Sequence, residues 1–82
     1  MKRTTPELEQ AMAALEQSLK ATRPGGVPRN QIGEATGGIL HPRTCANDDS
    51  NGNGIKGRFR VGRKIVYPIP GIMEKIRDKV TV

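Results

Sequence analysis

The sequence predicts an α+β protein of three short helices and a two-stranded β-hairpin, preceded by an extra N-terminal helix. Two stretches repeat apolar residues at helical intervals: Leu8, Met12, Leu15 and Leu19 near the start, and Ile69, Ile72, Met73, Ile76 and Val80 near the end. Residues 58–67, RFRVGRKIVY, instead alternate like strands around Gly62. Glycines and prolines punctuate the chain between these stretches and leave room only for short elements. A chain of 82 residues holds one small domain and an appendage. Such a chain buries only about 60% of its unfolded surface, so marginal stability is expected. With one Phe, one Tyr and no Trp, the core must be built mostly from Ile, Val, Leu and Met.

Residues 5–21 read as the first helix. Thr5 suits the N-cap, Pro6 the first helical position, and Glu7 the positive end of the helix dipole. Leu8, Met12, Leu15 and Leu19 form one apolar stripe, with Glu9, Gln10, Glu16, Gln17 and Lys20 on the other faces. The stripe fits a helix docked on the domain, a partly frayed arm, or a homodimer through helix 5–21, and two heptads leave these open. RPGGVPR at 23–29 ends the helix and reads as a linker. The expected organisation is an N-terminal helix at 1–22, a Pro/Gly linker at 23–30 and a domain at 31–82. Residues 31–37 then read as a short helix, capped by Asn30, with Ile32 and Ala35 inward and Gly37-Gly38 as its stop. Pro42 suits the first turn of the next helix, 42–50, which the Asn/Gly run at 51–54 ends. Pro68-Ile69-Pro70 leads into a last helix at 70–79. On its exposed side Glu74 with Arg77, and Lys75 with Asp78, are spaced as i,i+3 pairs.

The faces of the hairpin set its expected register. A two-residue loop at Gly62-Arg63 pairs Val61 with Lys64 and puts that lysine on the apolar face. A three-residue loop, Gly62-Arg63-Lys64, pairs Val61 with Ile65 and Phe59 with Tyr67. All four then point inward while Arg58 and Arg60 point out. The second register is preferred, because a slip of one residue reverses every face.

Net charge is +6, and residues 1–21 contribute none of it, since Lys2, Arg3 and Lys20 balance Glu7, Glu9 and Glu16. The excess therefore lies in the rest of the chain and favours a polyanionic partner. Five basic residues and no acidic one fall between Lys56 and Lys64. Cys45 is the only cysteine and His41 the only histidine, so neither a disulfide within the chain nor a cysteine-based zinc site is expected. Cys45 reads as a buried packing residue and His41 as a polar turn residue. SNGNGIKG lacks the Gly-Lys-Ser/Thr ending and preceding strand of a phosphate loop. The Asn/Asp run at 47–53 lacks the ligand spacing and closing Glu of a calcium loop. No catalytic set is present, so neither an enzyme nor a cofactor or metal is expected. No run resembles a signal peptide or a membrane span, and a cytoplasmic protein is expected.

Helix, turn, helix, basic hairpin, helix is the order of a winged helix-turn-helix, in which the second helix enters the major groove and the wing contacts adjacent backbone. On that second helix Arg43 and Asn47 are i,i+4 neighbours, and with Thr44 they have the chemistry to read bases. Lys56, Arg58, Arg60, Arg63 and Lys64 would hold phosphates or enter the minor groove.

The pieces IGEATGGILHPRTCANDDSNGNG and GRFRVGRKIVYP resemble the small excisionase and AlpA-like regulators of phages and prophage-like mobile elements. These belong to the MerR-like winged-helix group. Thr36-Gly37, Pro42-Arg43-Thr44, Gly62-Arg63-Lys64 and Tyr67 stand at the places of that pattern, and the resemblance covers about residues 31–80. It implies binding to double-stranded DNA through the second helix and the wing, with an integrase or the transcription machinery as partner. The role implied is either directing excision or regulating transcription. Asp48 and Asp49 depart from the pattern, which usually has an apolar or basic residue there. The alternative from another class is a protein-interaction module that docks a partner through helix 5–21. RNA binding is a third option, weakened because Phe59 and Tyr67, the two aromatics able to stack, are both expected in the core.

Overall fold

The helix start signals around Thr5 act as the sequence predicts. In the computed structural model, which describes residues 5–80, the Thr5 hydroxyl accepts from the Leu8 amide (3.1 Å) and opens helix α1, Pro6–Thr22. The outermost parts of the expected first and last segments, residues 1–4 and 81–82, lie outside the described residues. A short strand β1, Val27–Pro28, and a 3-10 turn, Arg29–Gln31, follow. Then come α2, Ile32–Ala35, and α3, Pro42–Ser50. Strands β2, Phe59–Val61, and β3, Lys64–Tyr67, precede the closing helix α4, Ile69–Lys79.

One hydrophobic cluster holds these elements together. Met12 and Leu19 of α1 belong to it together with Val27, Ile32, Leu40, Cys45, Ile55, Tyr67 and the inner face of α4. Leu8, Leu15 and Val80 pack against it, and Arg77 of α4 donates to Glu9 of α1 (2.8 Å). Met12 and Leu19 of the α1 stripe thus face the chain's own core, as on the docked-helix reading, while Leu8 and Leu15 remain partly exposed. The last helix keeps its expected face, with Ile69, Ile72, Met73 and Ile76 all buried. Its charged residues, however, reach across the fold rather than along the helix: Glu74 to Lys56 (2.9 Å), Lys75 to Asp48 (3.1 Å) and Arg77 to Glu9. The i,i+3 pairs expected from spacing are replaced by these longer-range ones.

The segment expected as a linker contributes a strand. Val27 pairs with Tyr67 and Pro28 with Val66, so the sheet has three antiparallel strands in the order β1-β3-β2 instead of two. Pro28 is tolerated because β1 is an edge. Val27 is fully buried against Tyr67, a burial that the local Pro/Gly composition conceals.

The hairpin register also differs from expectation. Phe59 opposes Val66, Arg60 opposes Ile65 and Val61 opposes Lys64. The loop is therefore the two residues Gly62-Arg63, with φ +61° at Gly62 and no positive φ at Arg63. Those signs fit a type II′ turn, which wants Gly first. Opposed residues share a face, so Arg60, Ile65, Tyr67 and Val27 lie on the core side, while Phe59, Val61, Lys64, Val66 and Pro28 lie on the other. Phe59 is 46% and Val61 60% exposed. The expectation failed because β2 projects past the core: with no burial to enforce one face, the turn chooses the register.

Between α2 and α3 the chain turns at Gly37 and Gly38, both at positive φ, where a side chain would be strained. The buried Thr36 hydroxyl donates to the Ile32 carbonyl (2.6 Å) and accepts from the Leu40 amide (3.1 Å). The expected Asn30 cap on this helix is absent. The 3-10 turn runs directly into α2, and no side chain caps it.

Candidate nucleic-acid interface

Helix α3 is built to present one polar face. Pro42 opens it, and the His41 Nδ1 accepts from the Arg43 amide (3.3 Å), so the histidine caps the helix. Cys45 faces the core at 2% exposure. Burial pushes its thiol pKa up, and the nearby Asp49 and Asp48 carboxylates add to the rise, which suits a packing residue over a nucleophile. The opposite face carries Arg43, Thr44, Asn47 and Ser50, all exposed. The three residues singled out on this helix therefore share one open surface.

The two acidic residues turn away from that face. Asp49 stands four residues after Cys45, one turn along on the inner side, and its side chain is only 9% exposed. Its Oδ2 accepts from the Tyr67 hydroxyl (2.7 Å) and from Arg29 Nη2 (2.5 Å). Arg29 Nε donates in turn to the Tyr67 hydroxyl (2.9 Å). Asp49 Oδ1 is buried without a hydrogen bond, with the Arg58 Nε at 3.5 Å as its ionic neighbour. Asp48 pairs with Lys75, whose ammonium also donates to the Asn53 carbonyl (2.6 Å). Both carboxylates are thus spent on neighbouring cations.

This network holds Arg29 and Tyr67 in fixed ionisation states. Hydrogen bonds to Tyr67 and Asp49 raise the Arg29 pKa further above its ordinary value. Burial pushes the Tyr67 phenol up to about 12, with the Asp49 hydrogen bond adding to the rise and the Arg29 hydrogen bond opposing it. The folded state therefore keeps this proton beyond the ordinary phenol value of 10.0. Its stabilising contribution is complete below that pH and is lost as pH climbs from about 10 to about 12. A spectrophotometric titration is expected to show phenolate only as helical circular dichroism disappears. Reversible phenolate formation near pH 10 in the folded protein would contradict this assignment.

The five basic residues of the hairpin region separate into two groups. Lys56 pairs with Glu74, and that hydrogen bond raises the pKa of its ammonium. Arg58, expected to point outward, lies beside Asp49 and donates Nη1 to the Ile55 carbonyl (3.3 Å). Arg60, Arg63 and Lys64 are exposed and, among the described residues, have no acidic side chain within ion-pair distance, and the same is true of Arg43. The hairpin turn lies beside the start of α3. Arg63, Lys64 and Ile65 line one wall of a groove of about 300 Å3 whose other wall is Arg29, Asn30 and Pro42. The hairpin turn and the polar helix are therefore neighbours.

Sequence reasoning gave no site role to Arg29, to the Tyr67 hydroxyl or to Asn30, which it read only as a helix cap. One signal was available: a carboxylate four residues from a buried cysteine on the same helix needs cationic partners from other segments. Which segments supply them depends on the sheet built by β1. No helix among the described residues is long and apolar enough to cross a membrane. Comparison of the chain with family models, with curated proteins and with solved structures gives no match.

Proposed function

We propose that the protein binds double-stranded DNA. In this reading α3 presents Arg43, Thr44 and Asn47 to base edges in the major groove, while Arg60, Arg63 and Lys64 of the wing hold phosphates or enter the minor groove. The reading rests chiefly on how charge is sorted. Asp48 and Asp49 are turned inward and paired, and the cations left without acidic partners include those on α3 and the neighbouring hairpin. Two carboxylates on the outer face of α3 would repel phosphates, and the fold removes them from it. Lys56 and Arg58 act mainly as structural ion pairs. The role is that of a non-catalytic accessory protein of a phage or mobile element, excisionase-like or regulating transcription, as the resemblance to the excisionase and AlpA-like regulators implies. The rival reading, a partner docked through α1, has less apolar surface to use, because Met12 and Leu19 already face the protein's own core. Phe59 is exposed, but a single ring is a poor stacking platform for single strands.

Fluorescence anisotropy with random-sequence duplexes over a range of salt tests this. Wild type is expected to bind with salt-dependent affinity, and Arg60→Ala with Arg63→Ala together to weaken all sequences about tenfold. The slope of log K against log salt should fall by about 2, as for two lost phosphate contacts. An unchanged slope would remove the wing from the interface.

A further inference from the structure

The groove between the 3-10 turn, the start of α3 and the hairpin turn adds Arg29 and Asn30 to the hairpin cations Arg63 and Lys64. We propose that it seats a single phosphate of the duplex backbone, with Arg29, Asn30, Arg63 and Lys64 around it. This inference rests on the DNA-binding reading and locates one contact within it.

Arg29 carries the argument. Its Nε and Nη2 are held by Tyr67 and Asp49, while Nη1 has no partner among the described residues. The side chain is 32% exposed, and it lines the groove. A free surface arginine loses conformational freedom when it grips an anion, but Arg29 is already ordered by its inner partners. Asp49 does not cancel the charge, because the same carboxylate is shared with Arg58. Arg63 and Lys64 face the groove from the hairpin turn without acidic partners of their own, so its walls are net positive. Asn30 adds a neutral amide that can donate without charge. Pro42 on the rim is the residue before Arg43 and Thr44, so a phosphate here would flank the groove those side chains would read. The reach between wing and helix would then be spanned by one backbone contact.

Asn30→Asp tests the seat without disturbing the core, since Asn30 is exposed and its side chain caps no helix. Gln17→Glu on an exposed position of α1 makes the same change in charge away from the groove. With a random-sequence duplex, Asn30→Asp is expected to bind about fivefold more weakly than Gln17→Glu, and its salt slope to be smaller by about 0.9, the share of one phosphate. Circular dichroism should show both variants folded. If Asn30→Asp binds as Gln17→Glu does, the seat is overturned while the DNA-binding reading stands. If wild type binds no duplex, that reading fails and the seat fails with it. An NMR titration of the Asn30 side-chain amide and Arg29 Nε separates the sources of phosphate. Both signals are expected to move with duplex at micromolar levels and with inorganic phosphate only at millimolar levels. Saturation by micromolar inorganic phosphate would make this a small-anion site and overturn the backbone assignment.

Discussion

Gly71→Ala is expected to destabilise the protein by about 3 kcal/mol, at the upper end of what overpacking costs. Gly71 lies in the first turn of α4, where the helix meets the segment at Ile55 and Lys56. A Cβ there would overlap the Lys56 carbonyl oxygen and lie 2.8 Å from Ile55 Cγ2. The clash is with backbone, so no side-chain rotation relieves it. Either α4 moves off the core, which exposes Ile72 and Ile76, or the Ile55–Lys56 segment moves and draws Ile55 out of its buried place. A protein of this size has only about 4–12 kcal/mol of net stability, so the loss is a large share of the whole. Thermal unfolding should shift down by roughly 15 °C. Gly25→Ala is the matched control. A Cβ at Gly25 meets nothing within 4 Å and its φ is not positive, so it should be neutral or raise stability by a few tenths of a kcal/mol through the unfolded chain. Equal midpoints for the two variants would mean that α4 does not pack this closely.

Asp49→Ala is expected to cost about 2 kcal/mol. Removing one partner of a fully buried ion pair costs roughly 3–5 kcal/mol. Here Arg29 and Arg58 keep 32% and 38% exposure and can still reach water, which lowers the figure. The variant also strips the Tyr67 hydroxyl of its acceptor in a site where that ring is fully buried. Tyr67→Phe alone should cost about 1 kcal/mol, the net worth of an ordinary hydrogen bond. The double variant should lose less than the sum, because the second change removes a group that the first has already orphaned. Chemical denaturation of the four proteins measures this coupling. Additive losses would mean that Asp49 and Tyr67 act independently. Asp49→Asn keeps the shape and one acceptor oxygen, so its smaller loss would isolate the role of charge.

Helical periodicity made α1 and α4 legible, because each stripe faces one packed surface and the caps at Thr5 and Pro6 are local. The limits of α3 were legible for the same reason: Pro42 can open a helix, and the Asn/Gly run cannot continue one. Cys45 was placed correctly by its small apolar character. The hairpin was legible, but its register differs by one residue from the one that alternation predicts. Alternation fixes a register only when one face is buried, and Phe59, Arg60 and Val61 are all exposed. The strand at Val27–Pro28 was not legible, since Pro/Gly composition describes local freedom and not the distant partner that consumes it.

The candidate site divides in the same way. Arg43, Thr44 and Asn47 share a face because an α-helix returns every 3.6 residues, and that much is written in their spacing. Their freedom from the adjacent Asp48 and Asp49 is a tertiary matter, since Lys75 comes from α4, Arg29 from the turn after β1 and Arg58 from the hairpin side. The chain by itself determined the helices and the hairpin and which of them are basic, because propensity, capping and periodicity act within a few residues. Only the folded structure decided which cations stay unpaired and which face of the hairpin meets the core. Ion pairing and burial depend on residues that are far apart in the chain and become neighbours only when the sheet closes over Tyr67.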